Sequence, residues 1–518
     1  MSKAAFSGLF IFVLIGALFL RITLLTNRPM HHDEANQAVK FGNLLESGEY
    51  RYDKSDHHGP SLYYLSLPLA WLFSKTTLAA LDEKVIRLLP ALFGTATLLL
   101  FLLIRSGMKK EAVLSASLLM ALSPAAVYYS RFYIQETLLV FFLVGFLIAS
   151  WRYIQRPSWI WALVAGFFSG LMYTTKETCV IAFGAVFGGW LLYLITLKKK
   201  KKTIPSVSLF RHIGYAVSAL AVFFLVSWLF YSSFFRNPGG WMDSVRSFGS
   251  YFVKAGQPEW HAHPWFYYLK ILFFSKYGSG PAWSEALILG LALIGCVAAF
   301  RKIQGQEVRF PFLKYIFVYT AIATVVYSLI PYKTPWNLLP FYVGIILLAG
   351  GGVSYLLNKV RYPYLRFGTL LILCLGFFHL GLQSYRANFV FQADPRNPYV
   401  YAQTSPDFLG LIQRVEDVAP EHPEGNNMLI KVIANPYDTW PLPWYLRQFG
   451  RVGYWREVRD AGNFESVPLI ISSLDKLDQL KPHIRDQYQS EFYGLRPEVL
   501  LAVHIRRDLW DRLLEKRN

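Results

Sequence analysis

Apolar residues fall along the chain in long runs, and polar residues gather in the gaps between them. A helix needs about 20 apolar residues to cross the hydrocarbon core of a bilayer. Runs of that order recur at 4–25, 85–104, 134–151, 178–196, 283–300, 337–357 and 367–385. With the apolar stretches between them, they predict about 11 membrane-spanning helices. Two runs are too short to cross. The run over 61–74 is aromatic and interrupted by Pro68, and 264–275 reads "PWFYYLKILFFS". Both predict helices lying in the membrane interface. Beyond 386 the pattern changes to short β-like runs, "MLIKVIA" (428–434) and "PLIISS" (468–473). Helical runs, "PLPWYLRQF" (441–449) and "RDLWDRLLEK" (507–516), stand between and after them. Strands alternating with helices predict a small α/β domain over 386–518, following a transmembrane domain over 1–385.

Composition supports a polytopic membrane protein. Of 518 residues, 54% are hydrophobic and 16% charged, against about a quarter charged in soluble domains. The net charge of +19 does not indicate nucleic acid, because Lys and Arg concentrate in loops and no nucleic-acid motif accompanies them. Basic clusters at 105–110, 152–156, 198–202, 301–302 and 359–366 each follow an apolar run. The positive-inside rule puts all five in the cytoplasm. The N-terminus is then inside, and the outside segments are 27–84, 129–134, 174–177, 236–282, 332–336 and everything after 386. Lys3 precedes an apolar run without a small-residue cleavage site, which reads as a retained anchor in the cytoplasmic (inner) membrane. The three cysteines, Cys179, Cys296 and Cys374, show neither zinc-ligand spacing nor a disulfide framework.

The outside segments carry the chemistry. "NRPMHHDEANQAVKFGNLLESGEY" (27–50) places Asp33 and Glu34 where the first span ends. The helical pattern from Asp33, with Gly48 as its stop, makes Asp33 either a helix N-cap or a base. "DHHGPSLYY" places His57 and His58 before a Gly-Pro turn. Arg131 and Glu136 top the next outside turn, Lys176 and Glu177 the one after, and Lys333 another. Lys176 and Lys333 admit headgroup snorkelling, and Arg131 and Glu136 a mutual pair. His57 admits a plain loop position. Taken together, an acidic group and several cations on one leaflet suit a lipid-linked phosphate. A sugar phosphodiester leaves readily, so one carboxylate base and a cationic cradle suffice for displacement at the anomeric carbon. A glycosidase would need a second, protonated carboxyl.

"HHDEANQAVKFGNLLESGEY", "HHGPSLYYLSLPLAWL" and "VIRLLPALFGTATLLLFLL", followed by "SRFYIQETLLVFF" and "YTTKET", resemble the GT-C class of membrane glycosyltransferases. Within it they are most similar to the protein O-mannosyltransferase and aminoarabinose-transferase superfamily. "NPYVYAQTSPD" (397–407) and "YDTWPLPWYLRQFG" (437–450) resemble its flippase-activity-associated branch. The resemblance implies a mostly α GT-C fold with Asp33 as catalytic base, Glu34 as its companion and Glu136 as the second acidic position. His58 and Lys176 are then expected at the donor phosphate, and Arg131 and Lys333, from their place among the outside cations, are further candidates to hold it. Some members hold a divalent metal between such carboxylates, so Asp33, Glu34 and Glu136 are also candidates for Mg or Mn.

The reading is transfer of a sugar from a polyprenyl-phosphate carrier to a glycan, lipid or protein acceptor outside the membrane. The segment 236–282 is a candidate lid, or a surface loop with an interfacial helix. The alternative is a non-enzymatic lipid-carrier binder or flippase partner in glycan export. A secondary transporter fits poorly, since the charges gather at one surface and no half-repeat is visible.

Overall fold

The computed structural model describes residues 1–54, 58–199, 209–256, 261–300, 311–360 and 362–516. His57, Arg361, the basic pair 301–302 and residues 200–202 of the cluster at 198–202 lie outside the described residues. The helices of the first half are α1 (Lys3–Ile22), α2 (His32–Ser47), α3 (Ser61–Leu72), α4 (Glu83–Leu103), α5 (Lys110–Leu122), α6 (Pro124–Tyr129), α7 (Glu136–Gln155), α8 (Trp159–Tyr173) and α9 (Cys179–Lys199). There follow α10 (Leu209–Tyr231), α11 (Gly240–Gly256), α12 (Tyr267–Phe273), α13 (Ala286–Phe300), α14 (Pro311–Leu329), α15 (Leu339–Lys359) and α16 (Pro363–Tyr385).

Among the described residues, 7 helices are long and apolar enough to cross a membrane: α1, α4, α7, α10, α14, α15 and α16. Three shorter apolar helices accompany them: α8, the apolar part of α9, and α13. The run that the sequence suggests as a further span is divided at Ser123–Pro124 into α5 and α6, because proline starts a new helix there. The two short runs form α3, of 12 residues, and α12, of 7. At about 1.5 Å per residue neither spans the bilayer.

α15 is buried along its whole apolar length, while α1, α10 and α16 turn large apolar side chains outward. Glycine makes the central packing possible. A Cβ on Gly295 of α13 would lie 1.9 Å from the Leu348 carbonyl oxygen of α15, and one on Gly352 would lie 2.0 Å from that of Leu291. Only hydrogen at those positions lets the two backbones touch.

The polar C-terminal part starts with α17 (Asp407–Val418). The five strands are β1 (Leu429–Ile433), β2 (Arg451–Trp455), β3 (Leu469–Ser473), β4 (Tyr488–Arg496) and β5 (Val499–Arg506). They form one sheet in the order β2-β1-β3-β5-β4. β2, β1 and β3 run parallel, while β5 is antiparallel to β3 and β4. Between the strands lie α18 (Pro436–Thr439), α19 (Leu442–Tyr445) and α20 (Leu477–Ile484), and α21 (Arg507–Glu515) ends the domain. Alternation along the strands builds two layers. Ile430, Val432, Leu469 and Ile471 pack with Phe408 and Leu411 of α17 and Leu509 of α21. Ile433 and Ile470 pack on the opposite face with Leu480 and Ile484 of α20.

Candidate active site

The loop after α1 turns into α2 at His31. The His31 ring Nδ1 accepts a hydrogen bond from the Asp33 N–H at 3.0 Å, and the Glu34 carboxylate accepts one from the His31 N–H at 3.1 Å. Histidine is therefore the N-cap in a reciprocal capping box. Its Nε2 is left to donate to the Tyr401 carbonyl at 3.0 Å. Asp33 is not the cap, which the sequence left open. Its side chain keeps 39% of its surface and lies 3.9 Å from His31 Nδ1.

Glu34 points the other way and is fully buried. Arg87 of α4 grips it in bidentate fashion, Nε and Nη2 each donating at 2.8 Å, and the Tyr133 N–H adds a bond at 2.9 Å. Arg28 stands 3.5 Å away and stacks on Phe132. Burial alone would push the Glu34 carboxyl up, but Arg87 and Arg28 pull it down to about 2. Glu34 is thus a structural anchor for the helix that carries Asp33. Arg87 has no assigned role in the sequence reading. Its signal was a lone cation in an apolar run, which requires a buried counter-charge.

The "HHGP" and "YTTKET" segments meet. The Gly59 and Ser61 N–H groups donate to the Thr175 and Thr174 carbonyls at 3.1 and 3.0 Å. His58 Nδ1 lies 2.9 Å from a Glu177 carboxylate oxygen. Burial raises the Glu177 carboxyl, yet His58 outweighs it and the net direction is down. Lys176 pairs with Glu136, at the start of α7, and donates to Asn337 Oδ1 at 3.3 Å. Among the described residues, the second oxygens of Glu136 and Glu177 are buried without a hydrogen-bond partner.

Two predicted cations are engaged elsewhere. Arg131 donates to the carbonyls of Leu20, Arg21, Thr23 and Leu24 at 2.6–3.2 Å. It closes the C-terminal end of α1, where carbonyls lack partners, and it pairs with neither Glu136 nor any other carboxylate among the described residues. Lys333 donates to the His263 carbonyl at 3.0 Å and to that of Ile330, and burial lowers its pKa. It ties the strand-like bridge Ala262–Tyr332 together.

Trp336 and Asn337 link the two halves of the site. The Trp336 ring packs 5.6 Å from that of His31 and 5.9 Å from that of Tyr401, while Asn337 reaches Lys176. His261 hydrogen-bonds the Tyr401 hydroxyl and feels the Asp33 charge; burial lowers its pKa and Asp33 partly restores it. Tyr332 is pushed up to about 12 by burial and by Asp33. Tyr401 lies in the "NPYVYAQTSPD" stretch that carries the family resemblance, while Trp336, Tyr332 and His261 had no role assigned from the sequence.

Asp33, Glu34 and Glu136 do not fit a divalent cation as placed. Among the described residues no three His, Cys, Asp or Glu side chains gather as a cation site. Glu34 is neutralised by arginine and Glu136 by lysine, and a Mg or Mn ion would have to displace those charges.

Residues 9–237, less than half of the chain, match the family described as dolichyl-phosphate-mannose-protein mannosyltransferase. No curated protein sequence matches. Among solved structures, the chain is similar to ArnT from Cupriavidus metallidurans bound to undecaprenyl phosphate, at 14% identity and a TM-score of 0.61, over 97% of this chain and 98% of that one. It is also similar to the archaeal oligosaccharyltransferase AglB from Archaeoglobus fulgidus, in complex with an inhibitory peptide and a dolichol-phosphate. There the identity is 13% and the TM-score 0.54, over 95% of this chain and 74% of that one. The fold is of the GT-C type.

Proposed function

We propose that this chain is a membrane glycosyltransferase that moves a sugar from a polyprenyl-phosphate carrier to an acceptor on the outer side of the cytoplasmic membrane. The observation that carries the reading is the division of labour at the start of α2. Glu34 is buried and neutralised by Arg87, whereas the Asp33 side chain, one residue away, keeps 39% of its surface. The match of residues 9–237 to a lipid-linked mannosyltransferase family supports the same reading.

In the proposed step Asp33 takes the proton of an acceptor hydroxyl. The hydroxyl oxygen bonds to the anomeric carbon as the bond from that carbon to the phosphate oxygen breaks. The electron pair leaves with polyprenyl phosphate, and the anomeric configuration inverts. Lys176 and His58 are the cations we assign to the phosphate. Lys176 has three N–H donors and uses two on Glu136 and Asn337. The unpartnered oxygens of Glu136 and Glu177 are acceptors for donor-sugar hydroxyls. Arg131 and Lys333 act as supports of the backbone around the site.

The test is transfer from labelled polyprenyl-phosphate sugars by the purified protein, in wild type and Asp33→Asn. Removal of the base is expected to lower kcat by about 100-fold or more, while carrier binding persists. EDTA is expected to leave the rate unchanged. Carrier binding without transfer from any donor in wild type would instead identify a lipid-carrier binder in glycan export.

A further inference from the structure

We propose that the acceptor is a saccharide, held against Tyr437 and Trp440 of the C-terminal domain beside Asp33. This rests on the transfer reading above for its purpose, though not for its test. Any acceptor must bring a hydroxyl to Asp33, so the groups around Asp33 describe it. Nearby stands the segment 435–441. Tyr437 of α18 is 68% exposed, and the Trp440 ring lies 6.0 Å from that of His32, the residue before Asp33. His32 also hydrogen-bonds the Tyr437 backbone. Tyr332, 38% exposed, interacts electrostatically with Asp33, Glu136 and Tyr437.

The shelf is held rigidly. Arg496 of β4 donates to the Tyr437 carbonyl at 3.2 Å and forms an ion pair with Asp438. Those two charges cancel each other. Among the described residues, Tyr437, Trp440, Tyr332 and His32 bring aromatic faces, phenol hydroxyls and imidazole to this region, and Arg496 is already paired with Asp438. A phosphorylated acceptor would need cations here. A peptide docking by strand addition would need the unpaired amides of a sheet edge. The open edges of this sheet are β2 and β4, whereas the shelf lies on the connection after β1. A pyranose has one face of C–H groups and a rim of hydroxyls. Tyr and Trp offer an apolar body with a polar tip, which matches both. The C-terminal domain thus contributes the acceptor half of the site, and the helices contribute the donor half.

The experiment uses the full-length protein in detergent micelles and saturation-transfer NMR. The probes are methyl glycosides and disaccharides of mannose, glucose, galactose and N-acetylglucosamine, with a Ser/Thr-containing peptide as competitor. Wild type is expected to transfer saturation to the C–H protons of at least one saccharide. Tyr437→Ala and Trp440→Ala are expected to weaken that binding about 5- to 10-fold, the size of a lost aromatic contact. Tyr437→Phe, which keeps the ring, restores it. Because Tyr437 is exposed, its alanine variant keeps the wild-type melting temperature. In a transfer assay the same variant raises the acceptor KM and leaves the lipid-donor KM unchanged. The proposal is overturned if no saccharide binds, if Tyr437→Ala binds as tightly as wild type, or if the peptide occupies the shelf instead. Saccharide binding that depends on Tyr437, in a protein that transfers nothing, supports this site while refuting the enzymatic reading.

Discussion

A helix turns about 100° per residue, so two carboxylates in succession on its first turn face different ways. That geometry gives Asp33 to the opening and Glu34 to the interior. Removing the Glu34 charge leaves Arg87 and Arg28 buried without a counter-ion. Glu34→Gln is therefore expected to cost about 3–5 kcal/mol, read as a lower melting temperature in detergent, while Asp33→Asn melts near wild type. An equal effect of both variants would contradict the division of roles. The pH dependence has a definite sign. The Glu34 carboxyl sits at about 2 in the fold, below its ordinary value. Its contribution is complete above the ordinary carboxyl range of about 4.3 and is lost as pH falls toward 2. At this scale the sequence showed which residues carry charge, and it showed less about their partners. Asp33, Glu136, Lys176 and His58 were visible as ionisable groups at span ends. That Glu34 belongs to Arg87, His58 to Glu177 and Arg131 to the end of α1 depends on contacts more than 50 residues apart in the chain.

Among the elements, the connection between the His58-Gly59-Pro60 turn and the 174–177 turn decides whether the two phosphate-side cations share one site. Gly59 is the tightest point. A Cβ there would lie 2.0 Å from the Thr174 carbonyl oxygen, a backbone atom that cannot rotate away. Gly59→Ala is expected to separate the turns at a cost of about 1–3 kcal/mol. Amide exchange at Gly59 and Ser61 should accelerate, and the donor KM should rise with little change in acceptor binding. Unchanged exchange at both amides would show that the turns are not held by these bonds. The elements themselves were largely legible. Period and length revealed the long apolar helices, the short α3 and α12, the Gly48 stop of α2, and β1, β3 and α21. β2 and β4 escaped notice because "RVGYW" and "YQSEFYGLR" mix polar residues into partly covered strands, and β5 because "VLLAVHIR" is a short, mostly buried apolar run whose period does not separate strand from helix. The division of α5 from α6 was hidden in a continuous apolar run, where only Ser123–Pro124 marks it.

Across the whole molecule, the C-terminal domain grips the few residues that aim Asp33. The Tyr445 hydroxyl accepts a bond from the Met30 N–H at 2.9 Å. Gln403 donates to the Pro29 carbonyl at 2.8 Å and Thr404 to that of Met30 at 2.7 Å. The His31 cap donates to Tyr401. Residues 29–31 are thus held from residues 401–445, across nearly the full length of the chain, while Arg87 holds the same turn from below through the Arg28 and Pro29 carbonyls. A base placed on such a turn has its position fixed by two bodies at once. Each neutral hydrogen bond contributes about 1 kcal/mol, so loss of two leaves the fold intact but loosens the turn. A misplacement of about 1 Å at a reacting group can lower a rate by about 100-fold. The double variant Tyr445→Phe with Thr404→Val is accordingly expected to lower kcat at least tenfold, by the same argument. The melting temperature should shift only by the amount those two bonds supply. Lipid-donor affinity, which the proposed function assigns to the 58–61 and 174–177 turns, should stay as in wild type. If kcat and donor affinity fall together, the domain acts on the whole site; if neither falls, the grip on residues 29–31 does not set the position of Asp33.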